Sequence, residues 1–207
     1  MLDAANLRKH LRVSWPLYLA LLAIVAAYGQ AMNSPLYGDD YFYLYAAREM
    51  PFGDYAKAVL TPWGSEPLLP FTRDFWRPIP FLWFEIAEPA FGGSPGPYHV
   101  FNLGIHMTSA VLVWALAERL DARPAVRAVA TLVFALYPGS FEAITWISSV
   151  NSMGLPFALG SWLAFLAATS SPERVRPGWL LASAALVGLA LCCRESGAAL
   201  TPAMHCN

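Results

Sequence analysis

The sequence has few charged residues for its size. Asp, Glu, Lys and Arg make up 13% of its 207 residues, and 57% of the chain is hydrophobic. Soluble domains carry about 25% charged residues, so this composition excludes an ordinary soluble enzyme and favours a membrane protein.

The chain is also poor in cysteine and has no excess of positive charge. Its three cysteines all lie near the C-terminal end, at Cys192, Cys193 and Cys206. They cannot provide a disulfide framework for the rest of the chain. The net charge of −1 gives no basis for a nucleic-acid partner.

What the sequence has instead is a series of uncharged apolar runs. A membrane-spanning helix needs about 20 such residues, and the runs predict five spans, at about 13–32, 98–117, 125–138, 151–169 and 178–194. The third is short and needs Arg127 to extend its charged group towards water. The first also satisfies the pattern of a signal peptide, but the later spans favour a retained anchor.

Positive charge is distributed unevenly between the connecting segments. The loop 139–150 has no Lys or Arg, whereas the segments on the other side of the bilayer hold Arg8, Lys9, Arg12, Arg119, Arg123, Arg127, Arg174 and Arg176. The positive-inside rule then predicts a cytoplasmic N-terminus, with segments 34–97 and 139–150 facing outward. Because the alanine-rich composition is typical of a GC-rich bacterial source, we expect an integral protein of a bacterial inner membrane.

The long outward segment, 34–97, is rich in aromatic residues and proline, as is typical of the lipid headgroup region. Within it, Pro80–Ala90 predicts an interfacial helix that ends at the following glycines, and Tyr41–Glu49 could begin another. The expected fold is therefore an all-α polytopic helix bundle of about five spans, with a long outer loop that carries interfacial helices.

Acidic residues recur at the predicted outer face. Asp39 and Asp40 follow the first span, and Glu142 lies in the loop 139–150. Aspartate is a good helix N-cap, so a capping role and a catalytic role are equally consistent with the spacing. Both can hold if one aspartate caps a helix and the other faces a site.

Polar residues also occur within the second span. His99, Asn102 and His106 are spaced i, i+3 and i+7 and share one helix face, which must face the bundle interior. They either bind substrate or form hydrogen bonds between helices. The histidines lie two turns apart, about 10 Å along the axis, too far to bind one metal ion.

Cations near the same face are candidates for binding a phosphate. Arg194 and Glu195 close the fifth span, either as a mutual ion pair or with the arginine directed at a lipid phosphate. Arg73 and Arg77, in the outward segment, allow the same two interpretations.

In this order, the motifs resemble a known family. The acidic pair is followed by "FWRPI", "YHVFNLGIHMTSAVLVWAL", "FALYPGSFEAITWISSVNSMGLPFAL" and "LCCRESGAALTP". The series resembles the N-terminal half of the GT-C superfamily of membrane glycosyltransferases. It is most similar to the protein O-mannosyltransferase-like members, including the transmembrane and tetratricopeptide-repeat proteins. The chain departs from that pattern at Arg194, where lysine is frequent, and at Tyr137, where histidine is frequent.

The resemblance implies transfer of a sugar from a polyprenyl-phosphate carrier to an acceptor hydroxyl, on a protein or glycan, at the outer face. Asp39 or Asp40 would be the general base, and Glu142 is the next candidate for that role. Arg194 and Arg77 would hold the phosphate, and the use of a divalent cation stays open. Membrane lipids are further partners, and no nucleic acid is expected.

Members of this family are longer, so the chain, which stops within "TPAMHCN", is expected to be a C-terminally truncated part. The alternative is a non-enzymatic membrane protein, such as part of a transporter or an assembly factor. In such a protein the polar residues of the second span would line a translocation path.

Overall fold

The structure is a computed structural model that describes residues 4–60, 76–148, 151–171 and 175–194. Within these ranges the chain forms α-helices and 3₁₀ structure, and no strand occurs there. The helices are α1 (Ala4–Tyr28), α2 (Asp39–Glu49), α3 (Phe52–Leu60), α4 (Pro78–Phe91), α5 (Pro95–Arg119), α6 (Pro124–Ala135), α7 (Ser140–Thr145), α8 (Asn151–Ala168) and α9 (Pro177–Cys193). The all-α prediction is confirmed for these residues.

In the part of the chain that the structure describes, two helical stretches are long and apolar enough, by length and composition, to cross a membrane. They are Ser14–Asn33, in which a 3₁₀ turn extends α1, and Pro95–Arg119, which is α5. The other three predicted spans coincide with shorter apolar helices, α6, α8 and α9. At 1.5 Å per residue, the 12 residues of α6 cover only about 18 Å of a hydrocarbon layer of about 30 Å. The count of five spans therefore stays a prediction.

The connection between α5 and α6 is held by the arginine that the sequence placed near a membrane surface. Arg127 donates to the Glu118 carboxylate at 2.7 Å, and its guanidinium lies 5.4 Å from the centre of the Trp114 ring. A cation over an aromatic face is attracted by the ring quadrupole. The charge of Arg127 is thus neutralised within the helix pair that it joins.

Small residues bring α8 and α9 into close contact. A Cβ added at Gly154 would lie 3.3 Å from the Cβ of Cys193. Further along, the hydroxyl of Ser183 donates to the carbonyl of Ser161 at 2.9 Å. Small residues and interhelical hydrogen bonds are the usual means by which apolar helices associate in lipid.

Helices α2, α3 and α4 form a layer of their own, packed on the beginning of α5. We call it the α2–α4 layer. Its core contains the buried residues Tyr43, Leu44, Ala46, Tyr55, Phe81, Phe84, Ala87, Tyr98 and Ile147. The Arg48 guanidinium ties α2 to α4 through two hydrogen bonds, at 2.6 and 2.8 Å, to one oxygen of Glu88. The predicted interfacial helix Pro80–Ala90 corresponds to α4, and the helix predicted from Tyr41 begins two residues earlier.

At one end of the bundle, the 3₁₀ turn, α5 and α7 are in contact, and the start of α8 meets the end of α9. The 3₁₀ turn after α1 contacts the α5 helix, and both contact α7. The start of α8 lies against the end of α9, as the contact of Gly154 with Cys193 shows. We call this the acidic end, because it carries Asp39, Asp40 and Glu142.

Candidate functional site

The two adjacent aspartates occupy different environments. Both lie in the first turn of α2, where Asp39 is exposed and Asp40 is fully buried. One Asp40 oxygen accepts the backbone N–H of Tyr37 at 3.0 Å, and the other accepts the backbone N–H of Ser148 at 2.8 Å. Asp40 therefore holds the chain at the start of α2 against the segment that follows α7, while Asp39 stays accessible.

Burial has an electrostatic consequence for Asp40. Loss of hydration raises the pKa of this carboxyl above its ordinary value, whereas the hydrogen bonds from Tyr37 and Ser148 and the electrostatic effect of His99 act in the opposite direction. Two N–H groups directed at two carboxylate oxygens favour the ionised form. Because Asp40 is fully buried and each of its oxygens binds a backbone N–H, this carboxylate is directed at the protein and not at a substrate.

Glu142 reaches the same end from the opposite part of the sequence. It is exposed in the first turn of α7, and its carbonyl accepts the backbone N–H of Trp146 at 2.9 Å. The Trp146 ring stacks on Tyr37 with 5.8 Å between centroids. The segments that carry Asp39 and Glu142 are therefore in direct contact.

Trp146 also brings a donor to this contact. Its indole N–H is buried and has no partner among the described residues. An unbonded donor at an acidic, partly exposed site can bind an oxygen of a ligand. Gly38 lies beside it, since a Cβ built there would be 3.9 Å from the indole nitrogen.

The predicted polar face of α5 is buried in protein. His99 is fully buried, and its Nδ1 and Nε2 atoms lie 3.2 and 3.0 Å from the carbonyl oxygens of Ile144 and Ser34. The Asn102 amide donates to the carbonyl of Trp146 at 3.4 Å. This face of α5 therefore binds the backbones of both segments at the acidic end.

His106 lies deeper in the bundle and performs a similar task. Its Nε2 is 3.1 Å from the carbonyl of Ala135, at the end of α6. The ring meets Tyr28 edge-to-face and stacks on Phe134, and the Tyr28 hydroxyl donates to the carbonyl of Tyr137 at 2.9 Å. His99, Asn102 and His106 therefore all form hydrogen bonds within the protein, as expected if they hold helices together. A part for them in substrate binding stays a prediction.

The predicted phosphate-binding cations lie at helix ends. Arg77 immediately precedes α4 and is half-buried, and Arg194 immediately follows α9 and is half-buried as well. Glu195 and Arg73 lie outside the described residues, so an Arg194–Glu195 ion pair is not tested. Among the described residues, no three His, Cys, Asp or Glu side chains are grouped to hold a metal ion.

With this geometry in place, comparison with known proteins gives a family. The sequence profile of the dolichyl-phosphate-mannose-protein mannosyltransferase family matches residues 91–206, more than half of the chain. The chain belongs to this family. The matched region includes the polar face of α5, Glu142 and Arg194, and the acidic pair at 39–40 precedes it.

A curated relative supports the assignment over a larger part of the chain. The Drosophila melanogaster protein O-mannosyl-transferase Tmtc1 is 29% identical over 146 residues, or 70% of this chain. Those residues amount to 16% of the relative, so the chain corresponds to a small part of it. No solved structure matches. Family membership confirms the resemblance found in the motifs.

Two features of this mannosyltransferase-family chain carry no local sequence signal. The Tyr37–Trp146 contact joins residues far apart in the sequence, and so does the Arg48–Glu88 ion pair. Near these residues is an open cavity of about 830 Å³, lined by Pro35, Leu36, Tyr41, Phe42, Leu44, Tyr45, Arg48, Glu49, Gly93 and Pro95. Its lining includes two exposed tyrosines of α2, Tyr41 and Tyr45, and Leu36, the neighbour of Tyr37 in the candidate site.

Proposed function

We propose that this chain forms part of a membrane mannosyltransferase that moves mannose from a dolichyl- or other polyprenyl-phosphate carrier to a hydroxyl of a protein acceptor. The observation that supports this most directly is the Asp40–Ser148 hydrogen bond. It joins the segment bearing the exposed Asp39 to the segment bearing the exposed Glu142, beside the ends of apolar helices. A lipid-linked sugar would arrive at that position.

The reaction assigns different tasks to the two aspartates. An acceptor hydroxyl is a weak nucleophile and needs a general base as the bond between the sugar and the phosphate breaks. Asp39 is exposed and has room to take that proton. Asp40 is buried with both oxygens engaged, so its proposed task is to position its neighbour. Glu142 is the second acid of the site.

The leaving group also needs stabilisation. As the sugar departs, negative charge grows on the carrier phosphate, and a guanidinium can bind two phosphate oxygens at once. Arg194 is proposed to bind this phosphate because it stands at the end of α9, next to the beginning of α8. Arg77, ahead of α4, is proposed as a second contact.

The buried face of α5 favours this proposal over a transporter-like function. A translocation path would need His99, Asn102 and His106 to face water or a solute. They are almost fully buried, and each is hydrogen-bonded to a backbone carbonyl. Such residues support a site rather than line a path.

The experiment that tests the general base uses membranes from cells that express the intact gene. Transfer of labelled mannose from dolichyl-phosphate-mannose to protein is compared between wild type and Asp39→Asn at matched expression. Loss of a general base lowers the rate by about 10²–10⁴-fold. Asp54→Asn is the matched control, because Asp54 is also an exposed aspartate in the first turn of its helix. Wild-type transfer by the Asp39 variant would reject the assignment.

The phosphate contact is tested at the two ends of one helix. Arg194→Gln is expected to raise the KM for the lipid-linked donor, since the guanidinium contacts its phosphate. The control is Arg176→Gln, which removes an exposed arginine immediately before α9. Equal KM values for the donor in the two variants would reject the proposal that Arg194 binds its phosphate.

A further inference from the structure

His99 is a buried titratable side chain with no part in the proposed proton or phosphate chemistry. Both of its ring nitrogens lie within hydrogen-bonding distance of backbone carbonyl oxygens, Nδ1 of Ile144 and Nε2 of Ser34. A carbonyl oxygen can only accept a hydrogen bond, whereas a neutral imidazole carries a single N–H. Only the imidazolium, with an N–H at each nitrogen, can donate to both.

His106 provides the contrast on the same helix. One of its nitrogens, Nε2, has a carbonyl partner, that of Ala135, and its ring lies between the aromatic rings of Tyr28 and Phe134. A neutral imidazole with its proton on Nε2 satisfies this environment. The two histidines of α5 are therefore expected to differ in charge.

A buried cation needs a counter-charge, since burial without one is costly. Asp40 provides it, because this carboxylate is fully buried and is bound to the backbones of the same two segments. The pair also shares its backbone partners. His99 bonds to Ser34 and Ile144, and Asp40 bonds the same two segments a few residues further on, through Tyr37 and Ser148.

We propose that His99 is held as an imidazolium between Ser34 and Ile144 and that it forms with Asp40 a buried charged clamp joining segment 34–40 to segment 144–148. The first clamped segment contains the exposed Asp39, and the second begins two residues after the exposed Glu142. His99 and Asp40 are thus positioning residues for those acids. That consequence rests on the proposed function, whereas the clamp itself does not.

The charge of His99 can be read directly from the unmodified chain. The full chain, labelled with ¹⁵N-histidine and reconstituted in lipid, is measured by solid-state NMR at neutral pH, with signals assigned through His99→Gln and His106→Gln. We expect two protonated ring nitrogens for His99, and one protonated and one unprotonated nitrogen for His106. An unprotonated nitrogen on His99 would overturn the proposal.

The pairing is tested by removing the counter-charge. In Asp40→Asn the side chain keeps its size, but the negative charge is lost. His99 is expected to lose one ring proton and give the spectrum of a neutral imidazole, while the His106 signals stay unchanged. A doubly protonated His99 in this variant would show that Asp40 is not its partner.

The positioning role needs a measurement that does not depend on sugar transfer. Spin labels are attached at Tyr41→Cys and Phe141→Cys, exposed positions on the two sides of the clamp, in a background without native cysteines. The distance distribution between them is expected to broaden in His99→Gln and to stay narrow in His106→Gln. An unchanged distribution in His99→Gln would refute the positioning role. Because neither measurement uses the donor, failure of the clamp and failure of the transferase assignment are separable.

Discussion

Gly38, which precedes the two aspartates, is the most informative position to perturb. Its backbone has φ +59° and ψ −127°, a conformation that residues with a side chain rarely adopt. A Cβ built there meets its nearest neighbour, the Trp146 indole, at 3.9 Å, which is ordinary contact. The cost of Gly38→Ala is therefore one of backbone strain, about 1–3 kcal/mol. Reduced freedom of the unfolded chain offsets about 0.4–1 kcal/mol, and the midpoints of these two ranges give an expected net loss of about 1.3 kcal/mol.

Gly92→Ala is a matched control for this strain. Gly92 ends α4 with φ +54° and ψ −138°, nearly the same backbone conformation, and a Cβ there would also meet its nearest atom without a clash. Both variants should lose a similar amount of unfolding free energy. Gly53→Ala, with a negative φ and open space around it, should lose none. The assay is reversible unfolding by SDS in mixed micelles, followed by tryptophan fluorescence.

Activity separates the two strained variants. Relief of strain at Gly38 is expected to shift the backbone of Asp39, the proposed general base, and a displacement of about 1 Å in a catalytic group can cost about 10²-fold in rate. Gly38→Ala should therefore transfer mannose at least about tenfold more slowly than Gly92→Ala, at equal stability. Wild-type stability of Gly38→Ala would refute the strain argument, and equal rates for the two variants would refute the link to Asp39.

Three further outcomes are expected. Tyr28→Phe removes the hydrogen bond to the Tyr137 carbonyl and should lower the unfolding free energy by about 1 kcal/mol; a loss under a few tenths would contradict that bond. Burial raises the pKa of Asp40 in the folded protein, so the unfolding free energy should increase as the pH falls through that raised pKa. The increase is complete below the ordinary pKa of about 3.9. The measurement is the unfolding free energy of wild type minus that of Asp40→Asn, plotted against pH. A difference that does not change with pH would contradict the raised pKa of Asp40. An impermeant thiol reagent on intact cells should label Ser94→Cys and leave Ser170→Cys unlabelled, both positions being exposed; the opposite result would reverse the predicted orientation.

The helical content of the chain was largely predictable, because apolar runs and proline–glycine boundaries are local signals. The helix around Pro80–Ala90 was placed within two residues at one end and one at the other. The third span was the weakest prediction. Its uncharged run counted residues 136–138, but α6 ends at Ala135 and these residues lead into α7. Uncharged length sets an upper limit on a helix and does not locate its end.

The candidate site was predictable in composition but not in detail. The i, i+3, i+7 spacing placed His99, Asn102 and His106 on one buried face. It could not supply their partners, because backbone carbonyls are present in every sequence and only the folded chain brings particular ones into range. Likewise, the sequence pattern allowed one aspartate to cap a helix while the other faced a site, but it did not say which. The choice of Asp40 for burial depends on Ser148, which lies 108 positions away.

The core of the α2–α4 layer has a consequence for the order in which the protein is made. The buried cluster that contains Tyr43 of α2 also contains Tyr98, at the beginning of α5, and Ile147, which follows α7. Ile147 leaves the ribosome about 100 residues after Tyr43, which at common synthesis rates is a delay of roughly 5–20 s. During that interval the apolar faces of α2 and α4 have no permanent cover. This makes the nascent layer a natural client for a chaperone or for the lipid surface until α5 and α7 arrive.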